Sequence, residues 1–298
     1  MHKITFFPLG NADSCLLNTS AGKKFLFDFG NEGNPDDAND KRIDLSDKLK
    51  KDLEASNRND YDVVGFTHLD NDHVCGAPDF FYFEHAAKYQ SKERVKIGQM
   101  WVPAAVIVED KLDGDAGIVQ AEARFRFKNK LGIKVFSRPD RLRDWMSKQG
   151  LNIDDYTDFI VDAGRTVPGF DLIHDGIEFF VHSPFAEHCD DKIIDRNDAS
   201  LVFQIRFAEG TTTTNLILSA DTTHEIWKSI VNVTKYHNRH DRLQWNIFKL
   251  PHHCSYLSLA PEKGKDKTTP IDEVKWIFED QSQDGCCVIS TSDPIPKG

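Results

Sequence analysis

The chain has 298 residues, of which 39% are hydrophobic and 29% are charged, and its formal net charge is −11. This composition is ordinary for a soluble globular protein, and the chain is long enough to bury a large core. The apolar runs are too short to span a bilayer, which excludes a membrane segment. The acidic total argues against a surface that coats nucleic acid, although a local basic rim around a site is compatible with it.

The sequence pattern alternates strands and helices over most of the chain. Alternating or continuous apolar patterns predict strands at residues 3–8, 14–18, 24–29, 62–67, 97–102, 177–182, 200–207, 215–219, 246–250 and 287–291. Apolar residues at helical spacing predict helices at residues 42–55, 76–88, 116–131, 141–150, 224–233 and 271–279. A β-rich opening followed by strands interspersed with helices indicates packed sheets with helices outside them.

The region from about residue 109 to residue 169 interrupts this pattern with charged helices and few strong strands. We interpret it as a helical insertion within a single domain that covers residues 1–298. It could be a lid or an extra helical layer without chemistry, or it could provide substrate specificity or a docking surface for a protein partner. The chain ends at Pro296-Lys297-Gly298, soon after a predicted strand, which leaves open whether further structure follows.

The amino-terminal segment and the cysteines both indicate an intracellular protein. Met1 to Phe7 leads directly into a strand pattern, without the apolar region or cleavage site of a signal peptide. The six cysteines have no CxxC spacing and are scattered along the chain, which is typical of reduced thiols. We therefore expect a cytoplasmic location, and we expect Cys286 and Cys287 to lie in a strand core.

The most informative segment is His68-Leu69-Asp70-Asn71-Asp72-His73, which follows the apolar run 63–66. Two imidazoles and two carboxylates at the end of a rigid strand can converge on cations. Imidazole nitrogen together with carboxylate oxygen suits zinc, manganese or iron better than calcium or magnesium. The alternative is a polar turn in which Asp70 or Asp72 caps a helix beginning near Val74. A cap needs only one such residue, and this loop has four.

Three other strand ends carry residues of the same types: Asp28 with Gly30, Asp221, and the pair His252-His253. In this order the motifs resemble the metallo-β-lactamase superfamily. More narrowly, the elements 9–13, 67–73, 197–202 and 250–255 resemble the hydrolase domain of the competence DNA-uptake protein ComEC and its soluble relatives. The resemblance spans residues 4–255. It implies an α/β fold, the metallo-β-lactamase αββα sandwich, in which two mixed β-sheets pack together and helices cover their outer faces.

The resemblance also implies a centre with two divalent metal ions, zinc or manganese. His68 and Asp70 are expected to hold the first metal, completed by Asp198 or, as a less favoured alternative, by His182. Asp72 and His73 are expected to hold the second metal with His253 or, less favoured, His252. Asp221 is expected to bridge both metals.

Supporting and catalytic roles follow from the same resemblance. Asp28 is expected to support the ligand loop without touching metal. Ser255 and the histidine of the 252–253 pair that is not a ligand are candidates for orienting the substrate or protonating the leaving group. The residues expected to act in catalysis are therefore Asp72, Asp221, His252 and His253.

The sequence departs from the common superfamily pattern in three places, one of which is the ambiguous third ligand motif with Asp198 or His182. Asp70 stands where an imidazole is usual, a change that the ComEC-like branch shares, and the extra oxygen ligand makes manganese a competitor of zinc. Cys254 stands where a glycine usually follows the paired histidines. Its thiol could lie near the metals, but the favoured interpretation is a small buried filler.

The leading functional hypothesis is a metal-dependent hydrolase that acts on a phosphodiester, with DNA or RNA as the substrate that the resemblance implies. One alternative is hydrolysis of a small molecule such as a cyclic nucleotide, lactone or thioester, which the acidic charge favours. Another is a metal-binding regulatory or interaction module of a larger assembly. Basic residues near the later motifs could contact phosphate, but a solvated helix face is the favoured interpretation; they are Lys228, Lys235, Arg239, Arg242 and Lys249.

Overall fold

The computed structural model describes residues 1–34, 37 and 39–293, and within them the amino-terminal part of the chain forms a seven-stranded sheet in chain order. Its strands are β1 (Lys3–Phe6), β2 (Cys15–Asn18), β3 (Lys24–Phe27), β4 (Asp60–Gly65), β5 (Lys96–Pro103), β6 (Ile133–Phe136) and β7 (Ile160–Val161). The strands β1 to β3 pair antiparallel, and β3 to β7 pair parallel. The carboxyl ends of β3 and β4 therefore lie side by side at one edge.

The second sheet is built from later strands in the order β12-β11-β10-β9-β8. They are β8 (Ile177–Ser183), β9 (Val202–Glu209), β10 (Thr212–Ser219), β11 (Trp245–Lys249) and β12 (Ser282–Ile289). The strands β8 to β10 pair antiparallel, while β10, β11 and β12 are parallel. The carboxyl ends of β10 and β11 consequently share an edge, and the chain continues there into residues 220–221 and 250–253.

An aromatic core fills the space between the two sheets. The ring centroids of Phe27 and Phe203 are 5.7 Å apart, and those of Trp101 and Phe179 are 5.0 Å apart. These side chains are almost completely buried. Edge-on and tilted contacts at such distances are the preferred geometry of aromatic pairs, and each ring buries a large apolar area. This core fixes one sheet against the other and so fixes the strand ends that carry the candidate site.

Helices cover both outer faces. They are α1 (Leu45–Ala55), α2 (Asn71–Val74), α3 (Ala77–Phe80), α4 (Ala104–Val108), α5 (Gly114–Asn129), α6 (Asp140–Lys148), α7 (Ala186–Asp190), α8 (His224–Tyr236) and α9 (Asp272–Asp280). Buried residues of α1 to α7 pack on the first sheet, and those of α8 and α9 pack on the second. In α8 the buried residues Ile226, Trp227, Ile230 and Val231 form one apolar stripe at helical spacing. The predicted α/β sandwich of two mixed sheets between helical layers is confirmed.

The region at 109–169 is helical as expected, but it also contributes to the first sheet. It contains β6 and β7, and the side chains of Phe127 and Leu142 on its helices are fully buried in the first outer core. The sequence signal for these strands was weak because they have only four and two residues. The structure therefore gives no boundary between an insertion and the rest of the fold. A role of residues 109–169 in docking a partner stays a prediction.

Two other sequence-based expectations are wrong. The helix expected at 76–88 is only α3, since Phe81 leaves the helix to form a bridge with Val95. Cys286 and Cys287 are exposed rather than in a strand core, because β12 is an edge strand and the described part of the second outer core draws its buried residues from α8, α9 and β9–β11. The terminal segment 296–298 lies outside the described residues. No helix in the described part of the chain is long and apolar enough to cross a bilayer.

Candidate metal centre

The ligand loop leaves the carboxyl end of β4 and turns at once into α2. His68 is buried beside the strand end, while Asp72 and His73 lie on α2. Backbone bonds hold this helix against two neighbouring segments: Asp13 N donates to Asp72 O at 3.0 Å, and Phe29 N donates to His73 O at 2.8 Å. Gly30 is required here because a Cβ atom on it would lie 1.9 Å from the carbonyl oxygen of Asp72.

Asp28 organises the loop from the end of β3. Its carboxylate accepts from Thr67 N and from Thr67 Oγ1, both at 2.7 Å, and Oδ2 lies 2.9 Å from Nδ1 of His73. A carboxylate at that distance keeps a proton on Nδ1, so Nε2 is the nitrogen of His73 that would bind a metal. Asp28 therefore contacts the ligand loop through Thr67 and His73, and its role in supporting a metal site stays a prediction.

His68 is prepared for ligation in a similar way. The Thr67 hydroxyl donates a hydrogen bond to Asp28. Its oxygen lies 3.2 Å from Nδ1 of His68 and can accept a hydrogen bond from the N–H at that position. This network assigns the unprotonated nitrogen to Nε2. Burial lowers the pKa of His68, and the nearby His73 lowers it further, so the ring is held neutral. Neutral imidazole is the form that binds metals.

Four side chains from four separate segments converge beside the loop. We call Asp13, His73, Asp221 and His253 the acid–histidine cluster, because one nitrogen or oxygen from each lies within 4.8 Å of those of the others. Nε2 of His73 is 3.4 Å from Oδ1 of Asp221, and Nε2 of His253 is 3.5 Å from its Oδ2. Asp221 therefore lies between the two imidazoles.

Asp72 adjoins the acid–histidine cluster. Its Oδ2 is 2.9 Å from Nε2 of His253 and 3.3 Å from Nε2 of His73. Nδ1 of His253 donates to the carbonyl of Thr291 at 2.8 Å, so its other nitrogen faces the acids. Asp72, Asp221 and both cluster histidines are thus brought together as the sequence predicted.

Asp13 is a cluster member that the sequence analysis did not assign to the site. It belongs to the element 9–13, which the sequence analysis quoted as similar to the ComEC hydrolase domain. That similarity was the signal that could have identified Asp13. Oδ2 of Asp13 is bonded to Nζ of Lys249, and both side chains are buried. Burial opposes the charge on each partner, but their mutual attraction outweighs it, so the pKa of Asp13 is lowered and that of Lys249 is raised. Lys249 is therefore an internal counter-ion rather than a solvated phosphate contact.

The electrostatics of the cluster favour a cation. Burial disfavours the imidazolium form of His73 and His253, yet the surrounding carboxylates raise both pKa values, that of His253 to about 10. Burial raises the pKa of Asp72 and Asp221, but the two histidines lower both well below the usual range. Such acid-rich surroundings stabilise positive charge at the imidazole nitrogens, where a divalent cation would bind.

The donor atoms fit a metal. Nε2 of His68 and His73, together with Oδ1 of Asp13 and Asp221, are buried and make no hydrogen bond to any described residue. A buried polar atom without a hydrogen bond costs about 1–3 kcal/mol, and a cation between Nε2 of His73 and Oδ1 of Asp221, which lie 3.4 Å apart, would satisfy two of these atoms at once. Their chemistry, imidazole nitrogen and carboxylate oxygen, suits zinc and manganese.

Asp70 is held outside the acid–histidine cluster by an arginine. Oδ1 of Asp70 accepts from Nη1 of Arg196 at 2.7 Å, and its Oδ2 is 3.6 Å from Nε2 of His68. Arg196 is fixed in turn by Glu109, whose carboxylate accepts from Nε and Nη2 at 2.8–3.0 Å. We call His68, Asp70, Arg196 and Glu109 the Arg196 side. Sequence reasoning missed Arg196, which is not a ligand type, although it directly precedes the 197–202 element.

Neither candidate for the third ligand motif is in the acid–histidine cluster. Asp198 accepts from Oγ1 of Thr223 at 2.6 Å, which ties it to the segment after Asp221, and burial raises its pKa. His182 donates from Nε2 to the carbonyl of Arg242 at 2.8 Å, and burial lowers its pKa to about 4. The Nε2 of His182 is thus already used elsewhere, whereas Asp198 is connected to the Asp221 segment through Thr223.

The turn after β11 has an unusual backbone. His252, His253 and Cys254 have φ angles of 50°, 48° and 66°, which lie in the left-handed region. Cys254 is exposed, with Sγ 2.9 Å from Oγ of Ser290, so the expectation of a buried filler is wrong. His252 is not in the acid–histidine cluster, and its buried Nδ1 makes no hydrogen bond to the described residues. Ser255 Oγ accepts from Leu257 N at 3.3 Å and so caps the next turn.

Comparison with known proteins gives distant similarity only. No protein-family model and no curated protein matches the chain. Among solved structures, the metallo-β-lactamase GOB-18 from Elizabethkingia meningoseptica is 12% identical, with 93% of this chain and 87% of that one covered and a TM-score of 0.39. A diphosphatase of the PhnP family is 10% identical, with 94% and 84% covered and a TM-score of 0.33. Zinc-bound PqqB from Methylobacterium extorquens is 11% identical, with 84% and 72% covered and a TM-score of 0.35. Similarity at this level does not transfer a function, so we base the proposal below on the chain's own residues.

Proposed function

We propose that this protein is a metal-dependent hydrolase of the metallo-β-lactamase superfamily, related to the ComEC hydrolase domain, that cleaves a phosphodiester. The observation that carries the proposal is the convergence of two imidazoles and two carboxylates from four segments, with buried donor atoms that make no hydrogen bond to the described residues. A structural role alone would leave the cost of those unpaired atoms unexplained.

Two groups of residues would hold two divalent ions, zinc or manganese. His73, His253 and Asp72 would hold one ion, with Asp13 as an additional acid beside them. His68 and Asp70 would hold the other, with Asp198 as the nearby acid from the third motif. Asp221 would bridge the two groups, since it lies against His73 and His253 and contributes to the field at His68. When bound, two such ions lower the pKa of a water molecule towards neutrality and stabilise the charge that develops in a phosphodiester displacement.

The remaining residues orient these groups. Asp28 fixes the ring of His73, the Thr291 carbonyl fixes the ring of His253, and Lys249 offsets part of the acid charge at Asp13. His252 lies next to His253 in the turn after β11. Its buried Nδ1 makes no hydrogen bond to the described residues, which makes His252 the candidate to protonate the leaving oxygen of the phosphodiester. Ser255 is the weaker candidate because its hydroxyl already caps a turn.

Arg196 gives the two metal positions different properties. Its guanidinium already balances Asp70, so an ion on the Arg196 side must compete with an internal cation. Asp72 and Asp221 lie against imidazoles, and the buried cation of this region, Lys249, is bonded to Asp13. The first equivalent of metal therefore binds at the acid–histidine cluster, and the second binds more weakly.

A nucleic-acid substrate is the first choice, and a small phosphodiester such as a cyclic nucleotide is the second. The second is favoured by the net charge of −11, which repels a polyanion except where local cations offset it. Arg196, partly exposed at the site, is a cation, but Asp70 and Glu109 already balance its charge, which also favours the small substrate.

Metal analysis followed by a substrate panel tests the proposal. Protein purified without chelator should contain close to two equivalents of metal after supplementation with zinc or manganese. The loaded protein should hydrolyse bis-p-nitrophenyl phosphate and at least one of single-stranded DNA, duplex DNA, RNA or a cyclic nucleotide. A metal content near zero would refute the metal centre. Two equivalents of metal with turnover of a lactone or thioester but of no phosphodiester would refute the substrate class.

A further inference from the structure

A cavity of about 720 Å³ lies on the outer side of the second sheet. Phe180 and His182 of β8 form its floor, and the carboxyl-terminal half of α8 forms one wall. The opposite wall is the segment 163–166, which is held beside β8 by bonds such as Val181 N to Arg165 O at 2.9 Å. None of its lining residues belongs to the acid–histidine cluster or to the Arg196 side.

The charged lining of this cavity is mainly positive. Arg165, Arg239 and Arg242 line it against a single acid, Glu178. Arg242 donates to Glu178 at 2.5 Å. Arg239 donates to the Gly164 carbonyl at 2.9 Å, and this hydrogen bond connects it to the wall formed by residues 163–166. Arg165 is exposed, and its guanidinium makes no hydrogen bond or ion pair with any described residue. In a chain with a net charge of −11, three arginines at one cavity form a local anion-attracting site.

Apolar and aromatic side chains form another part of the lining, beside the polar residues Thr166, Thr234 and His237. The guanidinium carbons of Arg239 and Arg242 lie 5.0 and 4.8 Å from the centroid of the Phe180 ring. Ile230 and Val233 of α8 face the same space. Stacking on an aromatic ring orients the guanidinium groups and leaves their N–H edges for an anion. A cavity of this size holds a small organic molecule, whereas an inorganic phosphate would fill little of it.

We infer that this cavity binds a small organic phosphate of the nucleoside monophosphate type, in which Arg165 and Arg239 contact the phosphate and the apolar wall contacts a flat ring. His182 makes the floor uncharged, because burial and the nearby charges of Arg242 and Arg239 lower the pKa of its imidazole to about 4. The site is separate from the proposed metal centre, so the inference does not depend on the proposed function.

Calorimetric titration of the full chain in the presence of a chelator tests the inference, since chelation removes phosphate binding by metal. AMP is the probe, and adenosine and inorganic phosphate are the two comparison ligands. We expect AMP to bind at one site and each comparison ligand to bind at least about tenfold more weakly, because each lacks one half of the recognition.

Two exposed variants locate the binding. Arg165→Gln and Arg239→Gln should each weaken AMP about tenfold, the loss expected for one charged hydrogen bond. The control is Arg143→Gln, which removes a similarly exposed arginine from α6 and should change nothing. Circular dichroism checks that the variants are folded. Three results would each overturn the inference. They are the absence of AMP binding, equal binding of AMP and either comparison ligand, and full AMP affinity in both cavity variants.

Discussion

The acid–histidine cluster and the Arg196 side each take residues from the same ligand loop, His73 for the cluster and His68 with Asp70 for the Arg196 side, but they differ in how their charge is balanced. In the cluster, Asp221 lies against the imidazoles of His73 and His253, and the buried cation Lys249 is bonded to Asp13. On the Arg196 side, one guanidinium already pairs with Asp70 and Glu109. Both groups contain histidines and acids, so the presence of these residue types alone does not show where a metal binds. The charge left unbalanced around them determines how strongly a metal binds.

Asp221→Ala should have the largest effect, because it removes the acid that both cluster histidines face. We expect zinc affinity to fall by more than about a hundredfold, beyond the 10- to 100-fold typical of losing a partner behind the ligands, and turnover to fall with it. Competition with a chromophoric chelator measures the affinity, and circular dichroism should show a retained fold.

Asp266→Ala is the control, since Asp266 is an exposed loop acid with no described contact. If Asp221→Ala binds zinc as tightly as this control, the cluster is not the metal position. If it cleaves substrate at the wild-type rate, the activity belongs to another site.

Asp28→Asn tests how the cluster is supported. The amide keeps one acceptor oxygen but loses the charge that holds the proton on Nδ1 of His73. We expect metal affinity to fall about 10- to 100-fold, less than for Asp221→Ala. Asp62→Asn is a matched control, because Asp62 also accepts a backbone N–H in the first sheet, that of Lys24 at 2.8 Å, but contacts no histidine. A fall in metal affinity as large in Asp62→Asn as in Asp28→Asn would show that general destabilisation is the cause.

Arg196→Gln tests the contrast directly, since it removes the internal cation from Asp70. We expect the affinity for the second equivalent of metal to rise on the order of fivefold, the equivalent of the roughly 1 kcal/mol that a partly exposed ion pair contributes. The first equivalent should be unchanged. Titration with manganese, followed by electron paramagnetic resonance of the bound ion, separates the two equivalents, and Arg143→Gln is the control. An unchanged second affinity would mean that Arg196 does not compete with metal.

The sequence identified acids and histidines at the strand ends, but not which charges balance them. Asp28 and Asp221 could be found because each follows an apolar strand, and parallel strands bring their carboxyl ends to one edge. Asp13 precedes β2 in a turn-like segment, so no periodicity marked it. Arg196 pairs with Glu109, 87 residues away, and with Asp70, 126 residues away. The local sequence pattern carries no information on such distant partners. The exposure of Cys254 likewise results from the turn after β11, and a cysteine in the sequence does not predict that turn.

The smallest expected effect concerns the turn that directs His253 into the acid–histidine cluster. Cys254 has a φ angle of 66°, and a non-glycine residue in this region is strained by roughly 1–2 kcal/mol. Glycine relieves that strain but loses more entropy on folding, about 0.5–1 kcal/mol. We therefore expect Cys254→Gly to stabilise the protein by about 0.5–1 kcal/mol. Cys286→Gly is the matched control, because Cys286 is equally exposed but lies in the extended strand β12, where glycine should destabilise by about 0.5–1 kcal/mol. Urea unfolding at constant slope measures both, and the two midpoints should move in opposite directions. If both variants are destabilised alike, the turn is not strained at Cys254, and His253 is positioned by its bond to the Thr291 carbonyl rather than by the turn.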